Sequence, residues 1–373
     1  MAKAREESLT LVAVGDVIIV RKDYQSIFTK CSPIFREADI AFFNCETPFA
    51  ESGTPGMAQH GAVPHDPAGL PALTDAGFNV CTLANNHTGD WGTDPVIECR
   101  ERLEAMGIAV CGAGRNIDEA RKPAILERKG TKVAFLGYLS TGPDGYMAEK
   151  EKPGAAVVRA HTLYESQEYQ PGTPPRILTW PHKLDLQAMI EDITKAKEQA
   201  DIVVVTDHWG LHNAPAVIPD YEFEVGHAAI DAGADLVLGT HPHILKGIEV
   251  YKGKAIIHSL ANFVIELAVV DRGEANPRTV RLKSWKELNA RIYRPRHPDQ
   301  RKSLIAKCEI SGKQIRKVSY LPVMLDEDWS MPEPLRRSDP RAQELYQYMI
   351  DITREVGLDT EFRWDGDEVV VVT

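Results

Sequence analysis

Asp235-Leu236-Val237-Leu238-Gly239-Thr240-His241-Pro242-His243 is a short apolar run that breaks off into two imidazoles separated by a proline. Leu236–Leu238 has the length and composition of a buried strand. Pro242 restrains the turn that follows, so His241 and His243 can address one metal ion each or straddle a pair. Working outward, the same pattern recurs. Val203-Val204-Val205-Thr206-Asp207-His208-Trp209-Gly210 is an apolar strand delivering His208. Thr82-Leu83-Ala84-Asn85-Asn86-His87 delivers two amides and an imidazole, Ala41-Phe42-Phe43-Asn44-Cys45-Glu46 delivers a carboxylate, and Val12-Ala13-Val14-Gly15-Asp16 ends in another. Taken singly, Asp16 reads as a helix N-cap and Glu46 as an exposed loop acid. Five polar groups placed alike after five strands indicate a site at the strand ends of an α/β sheet.

The rest of the chain fits that frame. Further strands are predicted at Ile40–Phe43, Val133–Tyr138 and Ala255–His258, with helices at Pro67–Ala76, Asp94–Met106, Leu184–Ala200 and Tyr221–Ala232, several of them closed by glycine. Arg159–His182 holds no apolar period and reads as a surface loop or lid. Asp271–Arg301 gathers Arg272, Arg278, Arg281, Arg291, Arg294, Arg296 and Arg301, and reads either as a solvated excursion or as a basic wall for an anion. Ser303–Ile310 and Ile315–Val323 alternate as a hairpin expected to complete a second sheet, and Asp339–Val356 as an amphipathic helix capped by Asp339. The expected organisation is one domain over 1–330, with insertions at about 159–182 and 271–301, and a helix-and-strand extension over 331–373.

At 373 residues and 43% hydrophobic content the chain can bury a large core. Its formal charge of −11 argues against a nucleic-acid surface, which needs clustered Lys and Arg. The start Met1–Ser8 is polar and no run of about eighteen apolar residues occurs, so a soluble, cytoplasmic protein without a membrane span is expected. Six cysteines without a C-x-x-C pair read as reduced structural thiols. Carboxylate, amide and imidazole donors without thiolate suit a divalent Mn, Zn, Fe or Mg ion, one or two in number.

These motifs, in this order over about residues 10 to 266, resemble the poly-γ-glutamate capsule-synthesis (CapA) family within the calcineurin-like metallophosphoesterases. The resemblance is carried by Gly15-Asp16 through Arg21, Asn44-Cys45-Glu46, Ala84-Asn85-Asn86-His87 with Asp90 and Gly92, His208-Trp209-Gly210, and Gly233 through His243 to Ser259-Leu260-Ala261-Asn262-Phe263. It implies two packed β-sheets flanked by helices, a four-layer αββα sandwich. It implies Glu46 as a bridging carboxylate, Asn86, His208 and His241 completing one metal site, and Asp16 with His243 holding the other. Of the expected catalytic residues His87, Asp16 and Arg21, His87 matches a group that donates a proton to the leaving group or steadies the oxyanion, and Arg21 one that binds a substrate carboxylate or phosphate. Asn262 would orient a ligand, and the Gly53–Pro67 loop with His60 and His65 is expected near the site. The chain departs from the wider superfamily at Ile18, where an imidazole is usual, at Glu46, where Asp is usual, and at Thr88, where an acid is common. It departs from the CapA pattern at Leu211-His212-Asn213, where an acid and an aromatic are usual, which puts His212 among the expected substrate contacts.

The resulting expectation is a metal-dependent hydrolase acting on a small or oligomeric anionic substrate at an amide, γ-glutamyl or phosphoester bond, with His87 as general acid. Two other readings stay open. One is a metal-assisted isomerase or epimerase shuttling a proton through His87, His212 or Asp16, and the other is a non-catalytic partner in poly-γ-glutamate capsule biosynthesis or export.

Overall fold

The computed structural model describes residues 8–54, 64–168, 173, 175–266, 297–327 and 329–373. Two sheets dominate. The larger runs, edge to edge, through Phe362–Asp365, Glu368–Val371, Gln314–Leu325, Lys302–Ser311, Leu9–Ile18, Ile40–Cys45, Val80–Thr82 and Ala109–Cys111, with Asn262–Ile265 and Pro332–Pro334 attached beside it. The second runs through Ile248–Tyr251, Lys254–Ile257, Leu236–Thr240, Ile202–His208, Thr131–Leu139 and Ala124–Arg128. At the heart of each sheet the strands are parallel: Leu9–Ile18 pairs with Ile40–Cys45, and Ile202–His208 with both Thr131–Leu139 and Leu236–Thr240.

Alternation along these strands sorts side chains into layers. Leu11, Ala13, Phe42, Phe135, Val204 and Leu236 meet in one core between the sheets, where the rings of Phe42 and Phe135 stack at 5.6 Å. Their neighbours Val12, Val14, Ala41 and Phe43 turn outward onto Phe35, Leu73, Val96 and Leu103 of the helices covering the first sheet. Val203 and Val205 turn outward onto Met189 and Ile193 of helix Lys183–Lys197 and onto Val225 and Ala229 of helix Asp220–Ala232. Helix, sheet, sheet, helix is the four-layer arrangement expected. Helix Pro340–Glu355, capped by Asp339, sends Leu345, Met349 and Ile352 into the core between the sheets.

Two expectations are corrected. The stretch expected as a surface loop holds two strands among its described residues: Ala160–Glu165 and Arg176–Pro181 form an antiparallel ribbon. Apolar Leu163, Tyr164, Ile177 and Trp180 are exposed on it, so no buried face imposed a period that the sequence could reveal. The hairpin Lys302–Ser311 with Gln314–Leu325 joins the first sheet, antiparallel to Leu9–Ile18 from Leu9↔Ile310 to Ala13↔Ala306, rather than completing the second. The Arg-rich stretch up to residue 296, and His60, lie outside the described residues. Among the described residues no helix is long and apolar enough to cross a membrane.

Candidate metal centre

Both sheets point the C-terminal ends of their parallel strands at one place, and their ligand-type residues meet there. Asp16 lies in the last turns of strand Leu9–Ile18, Glu46 just past Ile40–Cys45, and Asn86 and His87 in the loop after Val80–Thr82. From the second sheet come His208, the last residue of its strand, and His241 and His243 just past Leu236–Thr240. Gly15 makes the approach possible: a Cβ there would lie 1.8 Å from the carbonyl oxygen of Ala261, whose chain accepts from the Asp16 N–H at 3.0 Å. His241 and His243, on either side of Pro242, have φ of 96° and 58°, a left-handed backbone that non-glycine residues adopt only where the surroundings enforce it.

The site has two halves. In the first, ligand atoms of Asp16, Glu46 and His243 all lie within 4.8 Å of one another. His243 Nδ1 is 2.7 Å from Asn262 Oδ1 and 3.2 Å from Asp16 Oδ2, both acceptors, so Nδ1 carries the proton and Nε2 faces Glu46 Oε1 at 3.6 Å. That last distance is too long for a hydrogen bond. Both Glu46 oxygens are buried without a hydrogen-bond partner, although the residue is 0% exposed. Burial and the nearby Asp16 charge push the Glu46 carboxyl up to about 7. Burial works against protonation of His243, but Glu46, Asp16 and Asn262 outweigh it and raise that imidazole to about 9. Asp16 suffers the same burial, yet His243, His208 and the Asn44 amide hold it below the usual carboxylate range.

In the second half, His208 Nε2 lies 2.9 Å from Asn86 Oδ1 and 3.1 Å from His241 Nδ1. Separations of 2.9 and 3.1 Å from His208 Nε2 suit neighbouring ligand atoms of a coordination sphere with bonds of about 2.1 Å. Burial favours the neutral, metal-binding form of both imidazoles, lowering His208 to about 3 and holding His241 well below the ordinary histidine range. Thr240 Oγ1 lies 3.0 Å from His208 Nδ1 and can hold the tautomer that leaves Nε2 for a metal.

Every residue proposed as a ligand from the sequence is therefore at this centre. His212 stacks on His241 and His243, with ring centroids 3.9 and 4.9 Å away. Asn262 orients His243, and His65 is buried nearby, its Nε2 accepting from the Ile19 N–H at 3.0 Å. Arg21 is arranged differently from the expectation of a substrate partner: its guanidinium and backbone N–H are bound by Glu266, which also receives the Val20 N–H. His227 is paired with Glu249, and His258 with both Glu249 and Glu222.

Sequence reading missed Asn44, whose amide donates to Asp16 Oδ1 at 2.8 Å and sits 3.3 Å from His208 Nδ1. An amide ending a wholly apolar strand was the available signal. It also gave no role to Asp90, whose Oδ2 is 2.8 Å from His87 Nδ1.

A "PGA biosynthesis protein CapA" of Bacillus subtilis is 30% identical over 273 residues, covering 70% of this chain and 64% of its own length. A "Capsule biosynthesis protein CapA" of Bacillus anthracis is 29% identical over 280 residues, covering 71% of this chain and 62% of its own. The chain thus spans a little under two thirds of these curated relatives. Among solved structures, the calcineurin-like phosphoesterase YfkN of Bacillus subtilis covers 93% of this chain and 99% of its own, at 11% identity and a TM-score of 0.41, too loose a likeness to decide the fold. The family described as bacterial capsule synthesis protein PGA_cap matches residues 10–266, which include every residue of the two half-sites, and the chain belongs to that family.

Proposed function

We propose that this protein is a metal-dependent hydrolase that cleaves an amide, γ-glutamyl or phosphoester bond in an anionic substrate, with His87 as general acid. The observation that carries the reading is Glu46, a wholly buried carboxylate whose two oxygens have no hydrogen-bond partner and which faces Asp16 and His243. A buried carboxylate without a donor is costly, and a divalent cation held there by Glu46 would remove that cost. The donor set fits such an ion: Asp16, Glu46 and His243 on one side, Asn86, His208 and His241 on the other, all oxygen or imidazole nitrogen. One or two of Mn, Zn, Fe or Mg would supply an acidified water and polarise the scissile group.

The residues around this set have separate tasks. Asn44 and Asn262 hold Asp16 and His243 in fixed orientations. Glu46 and Asp16 favour the charged form of His243, and a metal ion held by this residue would require the neutral imidazole. Asp90 accepts from His87 Nδ1 and so makes Nε2 the nitrogen that exchanges a proton with a leaving group. His212, stacked over His241 and His243, is placed to touch substrate.

One observation favours a second reading. A relative in Mycobacterium tuberculosis, 27% identical over 230 residues, is named a probable polyglutamine synthesis accessory protein, which suits a binding role in polymer synthesis.

Elemental analysis separates the two. The wild type is expected to carry stoichiometric divalent metal, lost in the double variant His208→Ala, His241→Ala, and to hydrolyse poly-γ-glutamate or an aryl phosphate. A wild type that takes up no Mn, Zn, Fe or Mg on loading would overturn the hydrolase reading in favour of the accessory one.

A further inference from the structure

The loop that follows strand Thr131–Leu139 in the second sheet reaches across the site and touches residues of the first. Its Ser140 and Thr141 N–H groups both donate to the His208 carbonyl, at 3.0 and 3.2 Å. Farther along it, the Tyr146 hydroxyl donates to Asp90 Oδ1 at 2.7 Å, while Asp90 Oδ2 holds His87 Nδ1 at 2.8 Å. Asp90 is 1% exposed and Tyr146 8%. Each carboxylate oxygen thus has its own donor, one from each sheet's loops.

Tyr146 is itself fixed. Its ring lies over Gly89, where a Cβ would come within 2.5 Å of it, so the residue beside the dyad has to be glycine. Its carbonyl accepts from Ala155 at 2.9 Å, and its side chain packs with Ala84, Leu139 and Ala155.

We propose that Tyr146 is a positioning residue for His87, acting through Asp90. Removing the hydroxyl takes from buried Asp90 Oδ1 the donor it has in Tyr146, which favours rotation of the carboxylate away from His87. His87 then loses the acceptor that fixes its tautomer. The inference rests on the reading of His87 as general acid, and the experiment keeps the two apart.

The decisive measurement is NMR of the metal-free protein, comparing wild type with Tyr146→Phe. Wild type is expected to show a His87 Nδ1–H resonance protected from solvent exchange, and Tyr146→Phe to exchange it about tenfold faster or lose it, with uptake of Mn or Zn unchanged. In the metal-loaded protein, Tyr146→Phe should slow hydrolysis of phenyl phosphate, a poor leaving group, about tenfold, and 4-nitrophenyl phosphate less than twofold. A purely structural defect would slow both equally. An unchanged His87 resonance in Tyr146→Phe would overturn the proposal. If His87→Ala hydrolyses both esters as the wild type does, the general-acid reading fails, and the resonance still decides whether Tyr146 positions His87.

Discussion

Glu46 concentrates the chemistry of the site in one side chain. Its carboxyl is raised from 4.5 to about 7, by burial first and then by the Asp16 charge. A folded-state value above the unfolded one means the folded protein holds the proton more tightly, so in the metal-free protein stability falls as pH rises from about 4.5 to about 7 and stays lowered above that. Glu46→Gln removes this cost. The metal-free variant is expected to be more stable than wild type at pH 8, by about 1–3 kcal/mol in denaturant titration, while its metal content drops. A variant less stable than wild type at pH 8 would show that Glu46 is satisfied by protein groups alone. Arg21 teaches the opposite lesson. The resemblance implied an anionic partner for it, and in the structure its guanidinium is paired with Glu266 of the same chain.

Among elements, helix Asp94–Ala105 bears on the site without contributing to it. Glu98, near its middle, receives the Glu51 and Ser52 N–H groups at 3.0 and 3.1 Å and pairs with Arg102 at 2.7 Å, fastening the chain that leaves Glu46. Burial would raise its carboxyl, but the Ser52, Glu51 and Arg102 hydrogen bonds outweigh it and bring it down to about 2. With the folded value below the unfolded 4.5, this stabilisation is complete above about pH 4.5 and is lost as pH falls toward 2. Glu98→Gln should therefore flatten the acid limb of the stability curve by about 1–2 kcal/mol between pH 5 and 2, since the side chain is 22% exposed and partly screened. Urea midpoints across that range measure it, and parallel curves for wild type and variant would refute it.

For the whole molecule, the centre joins two sheets that otherwise meet through their apolar faces. A divalent ion taken up by either half-site, Asp16, Glu46 and His243 or Asn86, His208 and His241, would draw on residues of both sheets and so would bind only the folded chain. At one hundred times its dissociation constant such an ion stabilises by about 2.7 kcal/mol, which for a chain of 373 residues raises Tm by about 3 °C. Calorimetry with and without Mn or Zn checks this, and His208→Ala, His241→Ala should abolish the shift.

What the sequence by itself determined is the set of strand-end residues: Asp16, Glu46, Asn86, His208, His241 and His243 each follow an apolar run, and that pattern is local. The strands Leu9–Ile18, Ile40–Cys45 and Ile202–His208 were legible for the same reason, because burial on both faces writes continuous apolar runs. Only the tertiary structure decided the rest. That Lys302–Ser311 pairs with Leu9–Ile18, that Arg21 is bound by Glu266 245 positions away, and that Tyr146 reaches Asp90 56 positions back are contacts between distant segments. Neither partner of such a contact carries a local signal of the other, since side-chain periodicity encodes which face is buried and not what it is buried against.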